Sequence, residues 1–273
     1  MMTVEVFFQH LLDELNENKS LRAYHKFLAD PRKLPFRKAY FCQRLQYILD
    51  HIGSQGQSVW DCGCGFGTTA LFLAMNGYHV QGTTLEYYFD QVDRRKKFWS
   101  AFGDAGLFEC SYEDLFTAHD KDRFDTIILQ DTLHHLYPPD AALDILHRCL
   151  KTNGRLMVVE ENGRNIIQWA KLLRQRGFNK RVEVWDEVLQ KKLSFANEHI
   201  RGFSSWKKML EAHGFEICEG SLDFIRLFPP FLFTKKNYQA LIEREKRLSR
   251  SAGLLNGYFY FGMNFIADMR KPI

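Results

Sequence analysis

The feature that most constrains the fold is a loop with three glycines, DCGCGFG, at residues 61–67. A short apolar run at 58–61 leads into the loop, and an apolar stretch at 68–75 with helical composition follows it. Glycine lets the backbone approach a ligand closely, and the start of a helix offers N–H groups that have no partner inside the helix. We therefore predict a ligand-binding turn between a strand and a helix.

The sequence around this loop alternates between strand-like and helix-like segments. Apolar runs at 78–84, 124–130 and 155–160 predict strands, and helical patterns at 86–102 and 140–150 separate them. Such alternation is typical of a parallel sheet covered by helices on both faces. Later segments at 215–225 and 258–269 have the composition of closing strands. The predicted fold class is therefore α/β.

The regions outside this alternating pattern fall into three parts. Residues 1–55 are predicted to form a helical N-terminal extension, because apolar residues recur at helical spacing from residue 4 onward. Residues 56–273 form the predicted main domain, with insertions at about 162–203 and 226–257. Within the first insertion, helical patterns predict helices at 163–176 and 184–193.

Composition narrows the class of protein. The chain has 273 residues, 45% hydrophobic and 26% charged, and its mean hydropathy is −0.33. A membrane-spanning helix needs roughly 18 consecutive apolar residues, and the sequence has no such run. Its first residues carry acids rather than the basic start of a secretory signal, and its six cysteines form no C-x-x-C pair. We expect a cytoplasmic protein without a metal site.

Charge is distributed unevenly along the chain. Residues 1–160 have a net charge of −4, whereas residues 161–273 have a net charge of +8. This asymmetry suggests that the two parts contact different ligands, although basic residues also occur commonly on solvated helix faces.

The spacing of the glycines distinguishes between ligands. A dinucleotide fingerprint, G-x-G-x-x-G, would place its third glycine at Thr68, whereas here it lies at Gly67. A P-loop would need Gly-Lys-Ser/Thr, which is absent. Asp61, two residues before the first glycine, disfavours a pyrophosphate and favours a cationic ligand.

Four segments, in this order, resemble the class I S-adenosylmethionine (SAM) dependent methyltransferases. They are VWDCGCGFGTTALFLAMNGYHVQGTTLE at 59–86, FDTIILQDTLHHL at 124–136, LKTNGRLMVVEE at 150–161 and SSWKKMLEAHGFEI at 204–217. The resemblance implies a Rossmann-like, doubly wound, mostly parallel sheet of seven strands with an antiparallel last strand. It also implies SAM as the cofactor, bound at the carboxyl ends of the strands.

The resemblance also implies roles for individual residues. Asp61 would orient the methionine amino group, and the backbone at Gly63, Gly65 and Gly67 would pass beneath the cofactor. Thr84 and Glu86 would share the ribose, although the family usually has an acid at position 84. The adenine contact would fall near Ser111 and Tyr112, and the carbonyl of Gln130 would face the methionine moiety.

Methyl transfer needs alignment of donor and acceptor, and a base only when the acceptor must lose a proton. The candidates for this base are His134 and His135, directly after the fourth predicted strand, with simple packing as the alternative. Glu160 and Glu161 end the fifth predicted strand at the same edge.

The acceptor is expected to be a small, hydrophobic or anionic molecule. The related enzymes that methylate nucleic-acid bases carry an Asn/Asp-Pro-Pro-aromatic motif after strand four, where this chain has Asp131-Thr132-Leu133-His134. We therefore expect no nucleic-acid partner. There are two alternatives. One is a cyclopropane-type transferase that acts on lipid acyl chains, which Thr84 favours. The other is a non-catalytic SAM-fold binding protein.

The second insertion, 226–257, is predicted to cover the acceptor. Tyr238, Leu241, Ile242 and Leu248 lie on one side of its helical pattern, and FPPFLF at 228–233 forms an apolar corner. A lid is favoured, and a peripheral membrane contact and a dimer interface are the alternatives.

Overall fold

The structure is a computed structural model that describes residues 1–85, 89–251 and 253–270. Its chain divides into two compact units. The first comprises Met1–Asp114 and Arg226–Ser251, and the second comprises Leu115–Ile225 and the described residues of Ala252–Ile273. The predicted boundary between an extension at 1–55 and a domain at 56–273 stays a prediction.

Helices occur in both units. In the described ranges they are α1 (Val4–Glu17), α2 (Lys19–His25), α3 (Leu34–His51), α4 (Thr68–Ala74), α5 (Val92–Trp99), α6 (Pro139–Cys149), α7 (Ile166–Arg176), α8 (Phe203–Ala212), α9 (Tyr238–Ser251) and α10 (Asn256–Phe259). None of the helices that the structure describes is both long and apolar enough to cross a bilayer.

Strands likewise occur in both units. They are β1 (Ser58–Cys62), β2 (His79–Thr84), β3 (Phe108–Tyr112), β4 (Phe124–Gln130), β5 (Leu150–Glu161), β6 (Arg181–Asp186), β7 (Lys191–Ala196), β8 (Phe215–Ile217), β9 (Asp223–Ile225) and β10 (Gly262–Met269).

The first unit contains the predicted N-terminal helices and three parallel strands. Helix α1 is capped by Thr3, whose hydroxyl accepts a hydrogen bond from the backbone N–H of Val6, and it buries Phe7 and Leu11. The strands lie in the order β3-β2-β1, and β2 pairs in parallel with both neighbours. Parallel pairing brings the carboxyl ends of all three strands to the same edge, which is where the glycine loop begins.

The residues of the second insertion that belong to the first unit pack on α3. Phe233 is buried with its ring 5.3 Å from that of Phe36, and the Tyr40 hydroxyl donates a 3.1 Å hydrogen bond to Glu245 in α9. The predicted inner face of this helix is partly wrong. Leu248 is 38% exposed, while Glu245 is 1% exposed, because the α3 side offers Glu245 a buried hydrogen-bond donor.

The second unit contains a parallel strand pair and an antiparallel addition to it. Strands β4 and β5 are parallel, β10 runs antiparallel to β5, and both β8 and β9 pair antiparallel with β10. The mostly parallel α/β fold with an antiparallel last strand is confirmed. Eight of the described strands belong to this mostly parallel arrangement, one more than predicted. The additional strand arises because the segment predicted as one strand at 215–225 forms two, β8 and β9.

The first insertion differs from its predicted secondary structure. The helix at 163–176 is present as α7, but the predicted helix at 184–193 is wrong, because this part forms the antiparallel hairpin β6–β7. Val182 and Val184 are β-branched and favour a strand. The Asp186 carboxylate accepts backbone hydrogen bonds from Val188 and Leu189 and so closes the turn.

Candidate functional site

The glycine loop lies between β1 and α4, and its backbone conformation requires glycine. Gly63, Gly65 and Gly67 have φ values of +79°, +56° and +73°, in the left-handed region that side chains disfavour. At Gly67 the space is also closed, because an added Cβ would lie 2.5 Å from the ring of Phe108. The backbone N–H groups of Gly63 and Cys64 donate to the Thr83 carbonyl of β2, which ties the loop to the neighbouring strand.

Asp61, at the start of this loop, is a buried carboxylate that lacks a full set of partners. It is 2% exposed, and its Oδ2 atom has no hydrogen-bond partner among the described residues. Burial raises the pKa of Asp61 from its ordinary value of 3.8 to about 7, although a hydrogen bond from the Ala70 backbone opposes the shift. A buried acceptor of this kind fits a cationic N–H donor supplied by a ligand.

The other predicted cofactor residues of the first unit lie at the ends of β2 and β3. Thr84 is 2% exposed and pairs in register with Tyr112, whose hydroxyl donates to the Leu85 carbonyl at 3.1 Å. The hydroxyl of Ser111 is buried and without a hydrogen-bond partner among the described residues. Glu86 lies outside the described residues. Strand pairing therefore brings Thr84 and Tyr112 together.

Gln130 ends β4 in the second unit. Its main-chain carbonyl accepts a 3.1 Å hydrogen bond from the Thr132 hydroxyl. The next residue, Asp131, has a φ of +52°, and its backbone N–H donates to Val159 of β5. The chain thus turns sharply away from the strand at this point.

The two predicted catalytic histidines follow on a short 3-10 turn, Leu133–His135, and their environments differ. The Nδ1 atom of His134 lies 2.6 Å from a carboxylate oxygen of Glu160, which is buried at the end of β5. Burial alone would lower the pKa of His134, but Glu160, with smaller contributions from Asp131 and Glu198, raises it to about 9. His134 is therefore a cation at neutral pH.

His135 lies beside it with the two ring centroids 4.0 Å apart. Burial, and next the charge of His134, lowers the pKa of His135 below its ordinary value. His135 is therefore neutral at pH 7 and keeps a lone pair that can accept a proton.

A cavity of about 270 Å³ in the second unit is lined by His134, and His135 lies next to His134 in the chain without lining the cavity itself. Its lining is polar except for one leucine and consists of Asp131, His134, Glu161, Gln168, Lys171, Leu172, Gln175 and Glu198. Four of these come from one face of α7, at positions i, i+3, i+4 and i+7. The cavity thus offers hydrogen-bonding groups rather than an apolar surface.

One group in the described part of the chain has metal-ligand geometry. Single ligand atoms of His134, His135 and Glu198 lie within 4.8 Å of one another. The same His134 ring already binds Glu160 and lies 3.8 Å from Glu198. These contacts account for the cluster as a charge network, so its geometry does not require a metal ion.

Sequence reasoning missed part of this site. Glu198 lies 64 residues after His134, within an insertion that contains no motif, so no spacing in the sequence could have paired them. For Gln168 and Gln175 a signal existed, because they share one face of a predicted helix.

Comparison with known proteins agrees with these features. The sequence model of a family described as a methyltransferase domain matches residues 34–219. A tRNA 5-carboxymethoxyuridine methyltransferase of Escherichia coli K12 is 25% identical over 248 residues, which cover 86% of this chain and 88% of the relative.

Solved structures resemble the fold at lower identity. A SAM-dependent methyltransferase of Methanosarcina mazei has a TM-score of 0.54 and 19% identity, covering 82% of this chain and 98% of that one. The [4+2]-cyclase SpnF has a TM-score of 0.56 and 17% identity, covering 84% and 80%. At these identities the likeness is one of fold.

The family match covers more than half of the chain. The chain belongs to the SAM-dependent methyltransferases.

Proposed function

We propose that the first unit binds SAM through the glycine loop, with Asp61 accepting a hydrogen bond from the methionine ammonium group. The observation that carries this proposal is the buried Oδ2 of Asp61, which no described protein group satisfies. An ammonium group would complete its hydrogen bonding and would favour the ionised carboxylate. SAM itself supplies a methyl group made electrophilic by a sulfonium.

The remaining cofactor contacts extend this proposal. Thr84 and Glu86 bind the ribose, and Ser111 and Tyr112 lie at the adenine. The support for Ser111 is its buried hydroxyl without a hydrogen-bond partner among the described residues, which would gain a bond to an adenine edge. At Gly65 the space that a Cβ would take is bordered only by the Tyr24 hydroxyl at 3.5 Å among the described residues, which supports a close approach of the ligand to the loop.

The acceptor we propose is a small molecule that presents a polar group to the cavity of the second unit. The lining favours a hydroxyl, an amine or a single carboxylate over a hydrocarbon, because Leu172 is its apolar member. Three carboxylates face two cations there, which disfavours an acceptor with several negative charges. A lipid acyl chain, as in the cyclopropane alternative, fits this lining poorly.

His135 is the general base in this proposal when the acceptor must lose a proton. It is neutral at pH 7, whereas His134 is held as a cation by Glu160 and cannot accept a second proton. His134 then acts by keeping its neighbour neutral.

The test is methyl transfer from isotopically labelled SAM to fractionated cell metabolites. We expect one small-molecule fraction to become labelled, and His135→Asn to lower kcat at least tenfold with SAM affinity unchanged. His119→Asn, which changes an exposed histidine, is the matched control and should have no effect. Full activity of His135→Asn would refute the role of His135 as the base. If the wild-type protein did not bind SAM, the proposed function as a SAM-dependent methyltransferase would be refuted.

A nucleoside of tRNA is a second candidate acceptor, and the E. coli relative favours it. The first insertion also exposes Trp169, Phe178 and Trp185, and Arg174 and Lys180 in the same segment are exposed as well. Aromatic and basic side chains together suit single-stranded nucleic acid, through stacking and phosphate contacts. This candidate runs against the expectation of no nucleic-acid partner.

Bulk tRNA from cells deleted for the gene separates the two candidates. Labelling of this tRNA, lost on nuclease treatment and reduced in Trp169→Ala, would support the tRNA candidate. Labelling confined to the metabolite fraction would refute it. Pelleting with anionic vesicles would instead identify these side chains as a membrane contact.

A further inference from the structure

Arg95 in α5 connects the N-terminal helices to the glycine loop through a buried network. The guanidinium is completely buried. Its Nη1 atom donates to the Phe66 carbonyl at 2.7 Å and to the Thr68 hydroxyl at 2.8 Å. Phe66 lies between Gly65 and Gly67, so Arg95 binds the middle of the loop and the first residue of α4.

The charge of Arg95 is balanced by a residue of α1. Glu14 is 3% exposed and accepts two hydrogen bonds from Arg95, each 2.8 Å long, and a third from the Trp99 indole at 2.9 Å. This bidentate pair fixes the plane of the guanidinium and hence the direction of its Nη1 donor. The first helix of the chain therefore orients the group that holds the loop.

Helix α2 contacts the same loop from a second direction. His25 Nε2 lies 3.2 Å from the Thr68 hydroxyl, and burial followed by the charge of Arg95 lowers the pKa of His25 to about 3. The neighbouring Tyr24 packs its ring 5.0 Å from that of Phe66. Its hydroxyl lies 3.5 Å from the position that a Cβ on Gly65 would take, and the residue is 49% exposed.

We propose that α1 and α2 form part of the cofactor site: Glu14, Arg95 and Thr68 are positioning residues that hold the glycine loop, and Tyr24 binds the methionine end of SAM over Gly65. This inference rests on the proposed function. It gives α1 and α2 a role in binding the cofactor, whereas the family model that matches the chain begins only at residue 34.

The geometry favours this role over stability alone. Three glycines at positive φ give the loop little conformational restriction of its own. Its shape therefore depends on contacts, which are the buried Phe66 side chain, the backbone bonds to Thr83 and the bond from Arg95 to the Phe66 carbonyl. Tyr24 adds little to the core, because about half of it is exposed, yet its hydroxyl faces the loop surface that the cofactor would occupy.

Calorimetric titration with SAM and with adenosine, which lacks the methionine moiety, tests the role of Tyr24. Tyr24→Phe should weaken SAM binding about tenfold, with the adenosine Kd and the Tm unchanged. The control is Tyr258→Phe, which removes a partly exposed tyrosine hydroxyl bound to Arg164 in the second unit. Its SAM affinity should equal that of the wild type.

The positioning network is tested at Thr68, because removing Arg95 or Glu14 leaves a buried charge and could unfold the protein. Thr68→Val keeps the shape but loses the hydrogen bond from Arg95, whereas Thr68→Ser keeps the hydroxyl. We expect Thr68→Val to weaken SAM binding about tenfold and Thr68→Ser to restore it.

Unchanged SAM affinity in Tyr24→Phe and Thr68→Val would overturn this inference, as would a lowered Tm with unchanged affinity. These outcomes differ from failure of the proposed function, in which the wild-type protein would not bind SAM.

Discussion

Asp61 should make SAM affinity depend on pH. Its pKa in the folded protein is about 7, against an ordinary 3.8, because the buried carboxylate is poorly solvated. A rise of about 3 units corresponds to roughly 4 kcal/mol that disfavours the charged form inside the protein. Since binding of an ammonium group requires the ionised carboxylate, protons and SAM compete for Asp61.

Without ligand, the raised pKa of Asp61 makes the stability of the folded protein depend on pH. The folded state holds its proton more tightly than the unfolded state, so the stability linked to Asp61 is fully present below pH 3.8 and is lost as pH rises through about 7. SAM should therefore stabilise the protein most above pH 7, where it relieves an uncompensated buried charge.

For SAM binding, the competition predicts an affinity about fivefold lower at pH 6 than at pH 7, because the protonated fraction of free Asp61 rises from about one half to about nine tenths. Binding at pH 7 should release about half a proton. Isothermal titration calorimetry in two buffers of different ionisation enthalpy measures both quantities.

Asp61→Asn is the matched control, since it keeps the shape but cannot titrate. It should bind SAM at least tenfold more weakly than the wild type at pH 7, and its affinity should be flat between pH 6 and pH 7. If the wild type also shows a flat affinity and releases no proton, the assignment of Asp61 to the ammonium group is wrong.

Three further changes test other contacts. Gly67→Ala should lower the free energy of unfolding, measured by urea denaturation, by roughly 2–5 kcal/mol, because φ is +73° and the new Cβ would meet Phe108. Unchanged stability would contradict the described loop conformation. Tyr40→Phe should cost about 1–3 kcal/mol in the same assay, because buried Glu245 loses a donor, and a neutral result would contradict that contact. Glu160→Gln should move the pH–rate profile to higher pH, since a neutral His134 no longer lowers the pKa of His135, and this effect is larger than the loss of the small direct contribution by which Glu160 raises that pKa. A profile that moves to lower pH would contradict His135 as the titrating base.

The alternating strand and helix pattern was sufficient to predict the α/β fold. The apolar runs at 78–84 and 124–130 form β2 and β4. An apolar segment of this length that is bounded by glycine or by a helical pattern is typically a buried strand. The hairpin β6–β7 was missed. Its residues are mostly exposed, so the helical pattern at 184–193 was not evidence of a buried face.

The glycine loop and Asp61 could be predicted because they are adjacent in the sequence and their chemistry is local. The Glu14–Arg95 pair could not, because 81 residues separate its members and either could equally lie on a solvated helix face. The different charge states of His134 and His135 also required the structure, since they depend on Glu160, which strand pairing and the 3-10 turn bring within 2.6 Å of His134.

The most direct test of the central claim is a crystal structure with S-adenosylhomocysteine, which has the same α-ammonium and carboxylate groups as SAM. We predict that its ammonium nitrogen lies about 2.7–3.2 Å from Oδ2 of Asp61, above the backbone of the glycine loop. A complex in which the ligand binds elsewhere, or in which Oδ2 of Asp61 stays without a ligand contact, would contradict the claim that this loop is the SAM site.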